Sequence, residues 1–163
     1  MPEVFTAFCE SPIGALELRA GEKEILAVNF VKSGARPRVS VGRAEDGSAV
    51  LRACISQLEE YFRGERTSFS LPLKLEGTAF QKRVWAELLR VPFGKTTTYR
   101  QIAAAIGNEL ATRAVGGANH RNPVSIIVPC HRVVGSDGRL TGYGGGLWRK
   151  EWLLGHERKH ARD

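Results

Sequence analysis

Long hydrophobic runs, paired cysteines and repeated segments are all missing from this 163-residue chain. No apolar stretch approaches the length of a membrane span, and Met1-Pro2-Glu3-Val4-Phe5 has no basic region ahead of an apolar one. A signal peptide and a membrane anchor are therefore not expected, and the cytoplasm or nucleoid is the expected compartment. The three cysteines, Cys9, Cys54 and Cys130, are odd in number and far apart, as free thiols in a reducing compartment are. Without a CxxC pair or a Cys/His cluster, no structural metal site is expected. The triple glycine Gly144-Gly145-Gly146 lacks the Lys-Ser/Thr ending of a phosphate loop.

What is present is the composition of a globular protein, 42% hydrophobic and 25% charged, with net charge +7. The charge is uneven. Residues 1–77 carry 10 Lys and Arg against 11 Asp and Glu, whereas residues 78–163 carry 14 against 6. A neutral half followed by a basic half points to a polyanion, most simply nucleic acid, as partner of the second half.

Patterning divides the chain similarly. Val4 to Cys9, Ala15 to Arg19 and Ile25 to Val31 predict three strands, the first two joined by the turn Ser11-Pro12-Ile13-Gly14. Residues 32–48 read as a polar surface loop. Leu51, Cys54, Ile55, Leu58, Tyr61 and Phe62 recur at helical spacing, and Gly64 can end that helix. Cys9 and Cys54 then read as core filling. Residues 65–77 read as a linker carrying an extended segment, so the expected organisation is an α/β unit over 1–76 and a mostly helical unit over 77–163. In the second unit Thr78 caps a helix through Leu89, stopped by Pro92 and Gly94; Thr98 caps another, Tyr99 to Ile106, ended by Gly107. A third over Ala111 to Ala118 completes a helix-turn-helix, and Leu147 to His156 forms a last helix. Ala111-Thr112-Arg113-Ala114-Val115-Gly116-Gly117-Ala118 is unusual for a reading helix. Its small residues permit close approach to a groove, and a lone arginine reads little sequence.

The chemistry centres on Ile126-Ile127-Val128-Pro129-Cys130-His131-Arg132-Val133-Val134. The β-branched residues predict a short buried strand broken by Pro129. For an arbitrary cysteine, burial as a small hydrophobe is the commoner fate. Here imidazole and guanidinium follow directly, the neighbours that favour a thiolate nucleophile.

The combination closely resembles the O6-alkylguanine-DNA alkyltransferases, or methylated-DNA–protein-cysteine methyltransferases. It is carried by Pro129-Cys130-His131-Arg132-Val133, Arg113-Ala114-Val115-Gly116-Gly117-Ala118 and Asn122-Pro123. Gly77-Thr78, Phe80-Gln81, Val84-Trp85, Tyr99, Tyr143, Lys150, Trp152-Leu153-Leu154 and Glu157 follow in family order. The resemblance implies a ribonuclease H-like α/β domain and a mostly α domain with a winged-helix-like helix-turn-helix. It implies one irreversible transfer of an alkyl group to Cys130 from O6-alkylguanine, and from O4-alkylthymine, in duplex DNA. His131 would act as base through a water, Glu157 would orient it, and Asn122 would brace the turn. Arg113 would fill the stack vacated by the flipped base, and Tyr99 would displace the phosphate and assist the leaving guanine. Thr98, Ala111, Thr112, Ala114, Gly116 and Arg132 are the further DNA contacts it implies. Tyr143, Gly144, Gly145, Val133, Ser125 and Lys150 would line the base pocket, a surface role being the alternative for Lys150. No cofactor and no metal are implied, and the expected state is a monomer, with clustering along DNA left open.

Each residue taken alone has a plainer reading: a solvated charge for Glu157, packing for Tyr99, a surface cation for Arg113. His120, His156 and His160 read as structural or solvated, and Trp85, Trp148 and Trp152 as core aromatics. Ala79 and Ser125 stand where some relatives carry proline, and Gly144 where some carry serine. Two rivals remain: a non-catalytic lesion sensor, against which Cys130 speaks, and a Cys-His thiol hydrolase.

Overall fold

The structure is a computed structural model that describes residues 3–32 and 48–161. The loop expected over 32–48 thus lies almost wholly outside the described residues. The chain divides into two compact units, Met1–Leu75 and Glu76–Asp163.

In the first unit β1 (Phe5–Cys9), β2 (Leu16–Ala20) and β3 (Ile25–Phe30) form an antiparallel sheet in the order β1-β2-β3. Its register pairs Cys9 with Leu16 and Leu16 with Phe30. Strand alternation sends Ala7, Cys9, Leu16, Leu18 and Ala20 to one face, and all are buried. The helix α1 (Ala49–Phe62) packs Leu51, Cys54, Ile55, Leu58 and Tyr61 into the same core. Ser48 starts it: its Oγ accepts from Leu51 N at 3.3 Å and donates to Gly21 O at 2.9 Å, so one hydroxyl caps the helix and ties it to the β2–β3 turn. Both cysteines of this unit are free and buried. Burial pushes the Cys9 thiol up to about 11 and the Cys54 thiol up to about 12, so both fill space as neutral side chains. Residues 72–74 run beside β3, with Ile25 N donating to Pro72 O at 2.8 Å and Lys74 N to Ile25 O at 2.9 Å.

The second unit is mostly helical. Capping boxes set α2 (Ala79–Leu88) and α3 (Tyr99–Ala105), with Thr78 and Gln81, then Thr98 and Gln101, exchanging backbone and side-chain bonds. Gly77 precedes the first box because a Cβ there would stand 2.6 Å from the Trp85 ring. Gly107, at φ +82°, turns the chain out of α3 through a 3-10 turn at Glu109–Ala111 into α4 (Thr112–His120). Trp85 on α2 donates its ring N–H to Ala118 O at 2.9 Å, so the largest buried side chain of this unit also holds α4 in place. Truncating such an aromatic costs about 3–5 kcal/mol. The final helix, α5 (Leu147–His160), runs one turn further than expected and buries Lys150, Leu153, Leu154, His156 and Glu157. No helix among the described residues is long and apolar enough to cross a membrane.

Two expectations are corrected. The run Ile126–Val134 is not one strand. Only β5 (Val133–Val134) is, paired in parallel with β4 (Thr97–Thr98), while Cys130–Arg132 forms a 3-10 turn. A buried apolar run has no period to separate strand from turn, and the two neighbouring asparagines decide for turn (below). Trp148 is not a core aromatic: it is 57% exposed, whereas Trp85 is buried and Trp152 half-buried.

Candidate active site

The nucleophile turn is built by asparagines. Asn122 Nδ2 donates to Val128 O at 2.8 Å and Asn122 Oδ1 accepts from Val124 N at 2.9 Å, closing residues 122–128 into a loop through one side chain. Within it Ile126 is held at φ +73° although buried. A β-branched residue there carries strain of about 1–3 kcal/mol, which the clamp and the packing offset. Beyond Pro129, Asn119 Nδ2 on α4 donates to Cys130 O at 3.3 Å. Helix α4 therefore holds the backbone of Cys130 itself.

The electrostatics follow from burial. Cys130 is buried, and burial drives its thiol up, opposed by a hydrogen bond from Asn122 and by the Lys150 charge. A thiolate poised at rest, which the adjacent His131 and Arg132 suggested, is not what the fold provides. The thiol is neutral and needs a base. In a 3-10 turn successive side chains diverge by about a third of a turn, so the His131 and Arg132 side chains leave the turn in directions other than that of Cys130. His131 and Arg132 both point to Glu157. His131 Nε2 lies 2.7 Å from Glu157 Oε2; Arg132 Nε donates to Oε1 at 2.8 Å and Nη2 to Oε2 at 3.0 Å. The Glu157 side chain is 1% exposed, and these partners hold its carboxyl well below the usual carboxylate range despite burial. Burial lowers the His131 pKa more than Glu157 raises it, so the ring is neutral near pH 7. A carboxylate can only accept, which puts the proton on Nε2. Nδ1, buried with no hydrogen-bond partner among the described residues, is then a lone pair available as base.

Lys150 is buried and not a surface cation. It is 0% exposed, its Nζ donates to Thr141 O at 3.1 Å and stands 6.0 Å from the Tyr99 ring centroid, and burial pushes its pKa down to about 8. Tyr99 OH meets Thr141 Oγ1 at 2.6 Å, and a Cβ on Gly116 would sit 3.9 Å from its ring. Tyr143 is half-buried, and burial holds its hydroxyl well above the ordinary phenol range. Gly144 is exposed, and a Cβ there would meet nothing within 4 Å. Val133 is buried in β5, and Gly145 O accepts from Arg149 Nη1 at 2.8 Å.

Of the expected DNA contacts, Thr112, Arg113 and Ala114 are exposed, and Thr98, Ala111 and Gly116 half-buried. Arg132 is corrected: it is buried on Glu157, donates to Val91 O at 2.6 Å and lies 5.8 Å from the Phe93 ring centroid, so its guanidinium is unavailable to a phosphate. Sequence reasoning missed Asn119 and Thr141. An asparagine inside a helix was a usable signal for the first; the second had none.

Residues 79–159 match the family described as "6-O-methylguanine DNA methyltransferase, DNA binding domain", and residues 4–75 match its "ribonuclease-like domain". The chain belongs to this family. Alkyltransferase relatives resemble it over nearly the full length. The methylated-DNA–protein-cysteine methyltransferase of Methanosarcina barkeri is 48% identical over 94% of this chain and 96% of its own. The Mycobacterium tuberculosis O6-methylguanine methyltransferase structure is 42% identical, with a TM-score of 0.85, over 98% of this chain and 96% of that one. A Mycobacterium tuberculosis OGT structure in complex with DNA gives 42% and 0.84, over 96% and 94%. The ribonuclease-like first unit and the helix-turn-helix of the second are thus the alkyltransferase architecture.

Proposed function

We propose that this chain repairs DNA by direct, single-use transfer of an alkyl group from O6 of guanine, and from O4 of thymine, to Cys130 Sγ. The observation that carries the reading is His131: one nitrogen is bound to a buried carboxylate at 2.7 Å and the other has no hydrogen-bond partner among the described residues, one residue from a buried neutral thiol. In the step, Sγ attacks the alkyl carbon, a C–S bond forms and the C–O6 bond breaks. The thiol proton passes through a water to His131 Nδ1, and a proton returns to the leaving guanine, with Tyr99 OH assisting. Charge balances, since a neutral thiol and alkylguanine become a neutral thioether and guanine. A thioether has no ready leaving group, so the protein is consumed. Glu157 keeps Nδ1 basic by accepting from Nε2 and stabilises the imidazolium that forms.

The reacting atom lies inside a duplex, and extrusion of the base costs a few kcal/mol. Exposed Arg113 on α4 is suited to fill the gap, small Ala114 and Gly116 to close approach, and Tyr143, Gly144 and Gly145 to wall the extruded base, with Ser125, Val133 and Lys150 behind. Double-stranded DNA is the partner, met by a monomer in the cytoplasm on the nucleoid. The test is to incubate the protein with a duplex oligonucleotide carrying O6-methylguanine and weigh it. A gain of one methyl group, mapped to Cys130 and abolished in Cys130→Ser, is expected. Retained lesion binding with no mass gain would mean a lesion sensor, and turnover on small esters without DNA a thiol hydrolase; either overturns the proposal.

A further inference from the structure

Leu110 is 96% exposed, in a protein whose other aliphatic side chains of the second unit are mostly packed. It sits in the 3-10 turn Glu109–Ala111, where its backbone N donates to Asn108 Oδ1 at 3.3 Å, so the tip is held by an asparagine cap. One turn later, and continuing at helical spacing, come Arg113, Ala114, Gly117 and Arg121, all exposed. A Cβ on Gly117 would meet nothing within 4 Å. A free helix face is ordinarily covered by long polar side chains. This one has a cation near each end, almost no side chain in the middle, and a protruding leucine at its head.

We infer that Leu110 is an apolar wedge that enters the minor groove of duplex DNA ahead of Arg113 and packs on sugar and base edges beside the extruded nucleotide. The inference rests on the reading of α4 as the DNA-facing helix and deepens it. Continuity with that face argues for DNA as the occupant, because Leu110 precedes α4 without a break and shares its exposed side. Leucine is among the side chains that minor-groove proteins insert between base steps, stabilising an opened or bent duplex.

The test compares Leu110→Ala, Leu110→Met and Arg113→Ala for binding to a short lesion-bearing duplex that holds one copy, over a range of salt concentrations. Leu110→Ala should bind roughly tenfold more weakly at every salt concentration, with the slope of log affinity against log salt unchanged, because an apolar contact releases no counterions. Leu110→Met should restore most of the loss. The thermal midpoint of each variant separates lost contact from lost fold. Unchanged affinity in Leu110→Ala while Arg113→Ala weakens binding would overturn the wedge and leave the DNA-facing helix standing. Unchanged affinity in both variants would overturn the reading of α4 itself. A loss seen only on long duplexes carrying several copies would make Leu110 a contact between neighbouring copies, and the wedge would be wrong.

Discussion

Replacing Glu157 by glutamine changes one oxygen for a nitrogen and tests the site most directly. The wild-type carboxylate accepts from His131 at 2.7 Å and from Arg132 at 2.8 and 3.0 Å, and is 1% exposed. Glutamine has the same shape but a single acceptor oxygen, so its NH2 must face an N–H of His131 or of Arg132, donor against donor. Arg132 is left buried with a carbonyl and a phenyl ring as neighbours. Breaking a buried pair from one side costs about 3–5 kcal/mol, out of a total stability of about 5–15. Urea unfolding at pH 7 should show a loss of that size. The kinetic effect has two parts. Without the carboxylate, the imidazolium loses its stabiliser, and the plateau rate of methyl transfer in single-turnover assays should fall about 10²–10⁴-fold. Glu157 is also what raises the His131 pKa against burial. Removing it lowers that pKa further, so the acid limb of the rate profile, where His131 protonates, should move to lower pH even as the plateau drops. A plateau within twofold of wild type, an acid limb moved upward, or a stability loss under about 1 kcal/mol would refute the base-and-orienter reasoning.

Four further outcomes are expected. Because the Glu157 carboxyl is held below its ordinary value, its contribution to stability is present above about pH 4.3 and is lost as pH falls below that, so the wild type should lose stability in acid more steeply than Glu157→Gln by urea midpoints. Lys150→Met should slow alkyl transfer roughly tenfold, since the cation favours the Cys130 thiolate over a short range. The same variant should lack the rise in stability that the wild type gains as pH climbs from about 8 towards the ordinary lysine range, where the unfolded chain binds the proton and the buried amine does not; parallel profiles would contradict this. Thr98→Ala removes the acceptor for Gln101 N at 3.0 Å and should cost about 1 kcal/mol in urea unfolding.

Much of the fold could be read from local chemistry. Threonine three residues before glutamine announces a capping box, and both helices begin there, at Thr78 and Thr98. Strand alternation gave the three-stranded sheet to within a residue or two. The misreadings share a cause. Ile126–Val128 has the composition of a strand, and the decision against it came from Asn122, which bonds at both ends of the segment. Arg132 follows the nucleophile in sequence, yet its direction depends on a carboxylate 25 residues away. Lys150 has no local pattern that distinguishes burial from solvent.

Thus the sequence alone determined the family and the candidate reacting groups: a Cys-His pair, a distant glutamate, an arginine on a helix of small residues, and a basic second half. Those facts depend on residue identity and on short spacings, which survive without coordinates. Tertiary structure decided how the groups act. Burial makes the Cys130 thiol neutral and in need of a base, an effect set by the atoms around it and not by its neighbours in sequence. The approach of α5 to the nucleophile turn brings Glu157 to both His131 and Arg132, freeing one imidazole nitrogen and turning a guanidinium inward. Desolvation and direction are properties of packed space, and the order of residues along a chain does not carry them.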